Sequence, residues 1–314
     1  MSNWVWLSRV TLFGLAGTAA LATFFFAILN LPGTRNSEAD RIRATAVTAE
    51  EIQAVKLPIQ PLPPPINRNQ RSQQFGGAMT VRSRPFDLKQ TLITYSPLFS
   101  TPTSLGMVAI GVAEGNYRLV VQDGTLYVQQ TPTYFGHTDP GNLSWGERVT
   151  NYGPCSDQGR SRGNIALAEQ FCLERALSRL PTHLVDLNAA GIDLNQDVEA
   201  VLNTADLYNQ ASPINSRYFP KALAIARRGG LTGIEALAWA RTASFYLNSN
   251  DEMDVENGTN QATGLLGICI REGRPITEWQ CVYDDQMRRV QAIATVVEKY
   301  RRLAQQGTKN STEG

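Results

Sequence analysis

Residues 109–142 gather the side chains best suited to chemistry in this chain. Glu114 ends an apolar run and precedes Gly115. Two β-prone runs, 117–122 and 125–129, flank Asp123-Gly124, and Tyr134, His137, Thr138 and Asp139 then crowd into a loop rich in Gly and Pro. A carboxyl group kept among apolar neighbours remains a proton donor near neutral pH, and Ile110, Val112 and Ala113 are at hand to supply them. Such a donor, working with a second carboxylate or a hydroxyl, can cleave a glycosidic bond; carboxyl separations of ~5–5.5 Å or ~6.5–9.5 Å then set the stereochemical outcome. Asp139 and Thr138 are the candidates for the second group, although Asp139 also opens an Asp-Pro-Gly turn. Asp123 has a suitable spacing from Glu114, but its place in a turn accounts for it. Tyr134, Tyr127 and Trp145 are either stacking faces for sugar rings or core residues, and His137 serves either the loop or a substrate. Asp206 and Asn209, one turn apart beside an apolar stripe, are further candidates to face a cleft.

These groups have to be positioned by local elements. Leu105, Val108, Ala109, Val112 and Ala113 recur at helical spacing, and Gly115 offers a left-handed stop, which predicts a helix ending at Glu114. Asp123-Gly124 between β-prone runs predicts a hairpin. Residues 86–103, with Pro97 and Pro102, read as extended, and residues 134–151 as a loop. Beyond them, helices are expected over 164–180, 194–209 (capped by Asp193), 231–247 and 283–303, the last with Asp284 and Asp285 four residues ahead of Arg288 and Arg289. Residues 186–191 resemble the start of a calcium loop, but Ala190 stands at a ligand position and no Glu closes it, so a turn before a capped helix is expected. No metal site or cofactor is expected.

Four cysteines fall into two locally spaced pairs, and with only two histidines a zinc site would need all-cysteine ligation at unsuitable spacings. Four separate buried thiols are one reading. The other, adopted here, is two disulfides, Cys155–Cys172 and Cys269–Cys281, each worth roughly 3 kcal/mol for a loop of about 15 residues. A thiol protease built on Cys155 and His137 lacks a supporting motif. Oxidised cysteines place the domain on the extracytoplasmic, periplasmic side of a membrane.

The membrane itself is suggested by residues 10–31, which carry no charge. A helix of that length reaches about 30 Å, the thickness of the hydrocarbon layer. Ala20-Leu21-Ala22 mimics a signal cleavage site, yet the apolar run continues past it, and Trp4 and Trp6 precede the span as interfacial anchors would. An uncleaved anchor is therefore expected. Arg9 before it and Arg35, Arg41 and Arg43 after it would orient the chain the other way round, and the cysteines decide the matter. The expected order is a short segment 1–9, the anchor 10–31, a stalk and linker 32–80, a domain 81–303 and a solvated tail 304–314. In the linker, Thr48 and Glu51 suggest a short helix over 49–56, and five prolines in 57–66 an extended spacer. A net charge of +1 argues against nucleic acid as a partner.

Ala113-Glu114-Gly115, followed by a hairpin and then Gly136-His137-Thr138, resembles the lysozyme-like superfamily of phage-type lysozymes, lytic transglycosylases and chitosanases. The resemblance implies that Glu114 is the general acid, that a small sheet lines one side of a sugar cleft, and that the following helices form the other lobe. Gly136 and His137 match the Gly-His pair after the hairpin, while the second catalytic group has no matching position and the hairpin is slightly longer than the pattern. The fold class expected is mainly α (α+β), a lysozyme-like helical domain with a small β-hairpin behind one transmembrane helix. The activity implied is a membrane-anchored glycoside hydrolase or lytic transglycosylase acting on a peptidoglycan-like aminosugar polymer. The alternative is a non-catalytic module binding glycan or protein in an envelope assembly.

Overall fold

The computed structural model describes residues 54–57, 86–138, 143–144, 147–211 and 213–312. The chain divides into units 1–46 and 47–314, and every described residue belongs to the second. The expected anchor over 10–31 lies outside the described residues, among which no helix is long and apolar enough to cross a membrane.

The unit is mainly helical with a small antiparallel sheet. That sheet grows from the hairpin the sequence predicts. Strands β2 (Tyr117–Gln122) and β3 (Thr125–Gln130) pair from Tyr117↔Gln130 to Gln122↔Thr125. Asp123 and Gly124 turn between them at φ of 47° and 69°, the doubly left-handed pair that matches the twist of a tight hairpin. The other edge of β3 is covered by β1 (Ala54–Lys56), which corrects the expected helix over 49–56: residues 54–56 are extended. Val55 lies opposite Val128, and Leu57 donates its N–H to the Leu126 carbonyl at 2.9 Å and is buried, so tertiary pairing outweighs the local capping signal. Leu57, read as the first residue of a spacer, is part of the core.

Residues 86–103 also depart from the extended reading. They hold α1 (Leu88–Tyr95) and a 3-10 turn (Ser96–Phe99). Asp87 accepts from the Gln90 N–H at 3.1 Å and starts the helix, and Pro97 sits in the first turn of the 3-10 segment, where its missing N–H would have had no partner. Next comes α2 (Leu105–Glu114), almost wholly buried, which packs against the hairpin and against the helical lobe. Gly111 is required there, since a Cβ would lie 2.3 Å from the Tyr117 ring.

The helical lobe contains α3 (Ile165–Ala189), α4 (Val198–Gln210), a single turn α5 (Pro213–Ser216), α6 (Phe219–Arg228), α7 (Gly233–Ala243), α8 (Thr263–Arg271) and α9 (Glu278–Thr312). Short two-residue ladders, β4 (Leu143–Ser144) with β5 (Glu147–Arg148) and β6 (Tyr246–Leu247) with β7 (Thr259–Asn260), punctuate its loops. Helix α3 continues across Pro181, where the sequence suggested an end. Leu180, Leu184 and Leu187 form one buried face across that point, and their burial outweighs the lost backbone bond. Residues 186–189 are consequently the last turn of α3 rather than a separate turn. The cap of α4 is Asp197, which accepts from the Ala200 N–H at 3.0 Å, while Asp193 instead closes a small turn onto Asn195. Helices α6 and α8 were not expected, α7 is shorter than the run 231–247, and the backbone of α9 stays helical to Thr312, through most of the expected tail.

Both disulfides form as the spacing suggests. Cys155–Cys172 ties the loop before α3 to that helix, and Cys269–Cys281 staples α8 to α9.

His183 on α3 meets Tyr208 on α4 edge to face at 5.3 Å, is 7 % exposed, and has a buried Nδ1 without a hydrogen-bond partner. Burial first, and the charge of Arg179 second, bring its pKa down to about 4. An unfolded chain takes up this proton near the ordinary value of about 6.5, so between pH 6.5 and 4 unfolding is coupled to proton uptake. Stability is therefore expected to fall by about 3 kcal/mol through that window from this group alone. Urea midpoints at pH 7 and pH 4 should differ less in His183→Phe than in the wild type; equal losses would discard this account.

Candidate functional site

Helix α2 delivers Glu114 to the seam between the hairpin and the helical lobe. Gly115, at φ 82°, closes the helix with its N–H on the carbonyls of Gly111 and Val112. An acidic side chain at a helix C-terminus adds to the partial negative charge already there. Two arginines of α9 answer it. Arg288 donates to the Ala113 carbonyl at 3.0 Å, and Arg289 grips Glu114 with both arms, Nη1 to Oε1 at 3.0 Å and Nη2 to Oε2 at 3.2 Å. Asn209 of α4 adds a third donor, Nδ2 to Oε1 at 3.0 Å. The Glu114 side chain is 11 % exposed, shielded but reachable. The apolar niche expected around this carboxyl is thus corrected: Ile110 and Ala113 turn into the core, and Glu114 faces a charged cluster.

That cluster continues inward. Arg289 also reaches Asp206 at 3.3 Å and, through Nε, Asp285 at 3.5 Å. Asp206 in turn pairs with Arg241 of α7 at 2.6 Å, both side chains being 0 % exposed. Arg241 spends its remaining donors on Gln286 at 2.6 Å, on the carbonyl and side chain of Asn203 at 3.2 Å, and on Gln210 at 3.0 Å. This saturation is what makes a fully buried guanidinium tolerable. Burial pulls Arg241 down and Asp206 opposes it, whereas at Arg289 the burial cost is outweighed by Glu114, Asp206 and Asp285, which hold its proton firmly. Asp285, despite burial, is held below the usual carboxylate range by Arg289 and Arg288.

Asn209 links this cluster to the first disulfide. Its Nδ2 also donates to the Cys155 carbonyl at 2.7 Å, and its Oδ1 accepts from Arg175 Nη1 at 2.7 Å. Of the two residues considered for a cleft, Asn209 therefore touches Glu114, while Asp206 lies sealed behind it.

The loop after the hairpin is placed as follows. His137 bridges to Asn151 through paired backbone hydrogen bonds of 3.1 and 2.8 Å, and its Nδ1 donates to the Thr133 carbonyl at 2.9 Å. Thr138 is exposed and shares a hydrogen bond with the Thr150 hydroxyl at 2.9 Å. Tyr134 is corrected from a sugar-stacking face to a core residue. It is 0 % exposed, its ring stacks on Tyr117 at 5.2 Å, and its hydroxyl bonds to Glu169, so neither face is available. Asp123 is a turn residue, and Tyr127 is half-buried on β3. Asp139 and Trp145 lie outside the described residues. Among the described residues no group of three or more His, Cys, Asp or Glu side chains is arranged to hold a metal ion.

Arg241 escaped the sequence reading, and Arg289 entered it only as the helix partner of Asp285, a contact it does make at 3.5 Å. One signal was present: Arg241 is the lone charge inside the mostly apolar run Ala236 to Ala243, where burial would call for an acidic partner. The arrangement can hold a carboxylate in a fixed direction at the edge of a desolvated polar cluster. The chain matches no protein-family model, no curated protein and no solved structure.

Proposed function

We propose that the domain acts on an aminosugar polymer of the peptidoglycan type, as a glycoside hydrolase or lytic transglycosylase in which Glu114 handles the proton of the glycosidic oxygen. The observation that carries this reading is the setting of Glu114: a shielded but reachable carboxylate at a helix end, with a hairpin on one side and a helical lobe on the other. A proton donor and a stabilising second group are what glycoside cleavage requires, and Thr138 or Asp139 remain the candidates for the second. The disulfides fit an oxidising, extracytoplasmic compartment, and the uncharged run 10–31 would anchor the chain to its membrane.

One observation favours the second reading, a non-catalytic module that binds glycan or protein in an envelope assembly. Glu114 accepts three N–H bonds, two of them from the Arg289 fork, so the fold already uses this carboxylate as the partner of Arg289. Purified full-length protein in detergent, run in a zymogram over peptidoglycan, separates the readings. Clearing supports the enzyme. Co-sedimentation with sacculi, with neither clearing nor release of muropeptides, leaves the binder.

A further inference from the structure

Near Glu114 stands an arginine without a carboxylate of its own among the described residues, and two more such arginines lie along the same stretch of chain, 160–179. Arg175 of α3 is one side chain away, joined through Asn209. Among the described residues its Nη1 meets only the neutral Asn209 oxygen and its other N–H groups have no acceptor, and none of them is sealed from solvent. Arg160, in the loop pinned by Cys155–Cys172, is exposed, lies over the Phe171 ring at 5.1 Å and spends Nε on the Asp157 carbonyl at 2.9 Å. Arg179, one turn beyond Arg175 on α3, lies over the Tyr208 ring at 5.2 Å. Among the described residues no carboxylate is within ion-pair distance of any of the three.

The nearby acids are committed elsewhere. Asp157 is fully buried and accepts the N–H groups of Tyr152, Gly159 and Ser161, and Glu114 is held by Arg289. Arg160 and Arg179 are exposed and Arg175 is half-buried, and burial followed by the charge of Arg160 brings the Arg175 pKa down to about 10. The buried arginines Arg241 and Arg289 are matched with acids, whereas half-buried Arg175 meets only the Asn209 oxygen. The Phe171 ring and the Asp157 carbonyl orient the Arg160 guanidinium, and the Tyr208 ring orients that of Arg179, so less freedom is lost when an anion arrives.

We propose that Arg160, Arg175 and Arg179 form an anion-recognition face beside Glu114 that holds a carboxylate borne by the glycan. This rests on the glycan reading above and narrows it to a polymer carrying acidic groups, as opposed to an uncharged one such as chitin. The carboxylate could sit on the sugar itself or on an attached peptide, and guanidinium forks suit either.

The test is co-sedimentation of the full-length protein in detergent with three preparations: native peptidoglycan sacculi, sacculi whose carboxyl groups have been converted to amides, and glycan strands stripped of their peptides. Wild-type protein is expected to bind amidated sacculi at least about tenfold more weakly than native ones, with the difference shrinking as salt is raised. Arg160→Gln/Arg179→Gln alters two exposed side chains and should lose binding to native sacculi by a similar factor while binding amidated sacculi like the wild type. Arg175→Gln should follow the same pattern, and its thermal melt reports whether the fold is kept. Retained binding to stripped strands assigns the carboxylate to the sugar, and lost binding assigns it to the peptide. Equal binding of wild type and double variant to native and amidated sacculi overturns this inference alone. No binding of wild-type protein to any preparation removes the glycan reading with it.

Discussion

Glu114→Gln is expected to lower the rate of peptidoglycan cleavage by about 10²–10⁴-fold, the range over which a positioned acid or base acts. The substitution is close in shape and retains an oxygen that Arg289 and Asn209 can address, so the seam between α2, α4 and α9 should survive. What it removes is the capacity to carry and deliver a proton. A stability cost of about 1–3 kcal/mol is expected, because Arg289 exchanges a carboxylate for an amide in a shielded place. It keeps Asp206 and Asp285 as counter-charges. Muropeptide release measured against a thermal melt separates the two effects. A folded variant with undiminished release would take Glu114 out of the chemistry and leave the binding module as the better account.

The second large effect concerns stability. Arg241→Met is expected to destabilise the fold by about 3–5 kcal/mol, the range seen when one partner of a buried ion pair is removed. Asp206 would remain at 0 % exposure facing a thioether, and Asn203, Gln210 and Gln286 would lose the donor that organises them. Replacing both partners, Arg241→Met with Asp206→Leu, should cost much less than either change suggests alone, since no unpaired charge is left in the interior. Arg289 would then hold Glu114 and Asp285 only. Urea unfolding of the two single variants and the double variant gives the coupling directly; a single-variant loss below about 1 kcal/mol would show that Asp206 finds compensation elsewhere.

The parts of this fold that were legible in the sequence are those whose cause is local. Asp123-Gly124 announces its hairpin because both positions need left-handed backbone, and Gly115 announces the end of α2 for the same reason. Cys155 with Cys172 and Cys269 with Cys281 are separated by 17 and 12 residues, near enough for spacing to suggest the pairing. The setting of Glu114 was not legible. Its partners Asn209 and Arg289 lie 95 and 175 residues away, and Arg241 finds Asp206 across 35. Nothing in the residues around Glu114 distinguishes a niche of methyl groups from a guanidinium fork. Proline was the other source of error. Pro97 and Pro181 read as breaks, yet the first opens a 3-10 turn and the second is carried inside α3 by the leucines on either side of it.

Strand β1 has a practical consequence for anyone cutting this protein down to a tractable piece. A fragment beginning at Val81, where composition alone would place the border, would discard residues 54–57 and strip β3 of its outer neighbour. The amides and carbonyls of Leu126 and Val128, which face β1, would then be open for another molecule to zip onto, beside the vacated Leu57 slot. Such a fragment should be sticky for reasons unrelated to the folding of its helices, and one starting at Val47 should behave better.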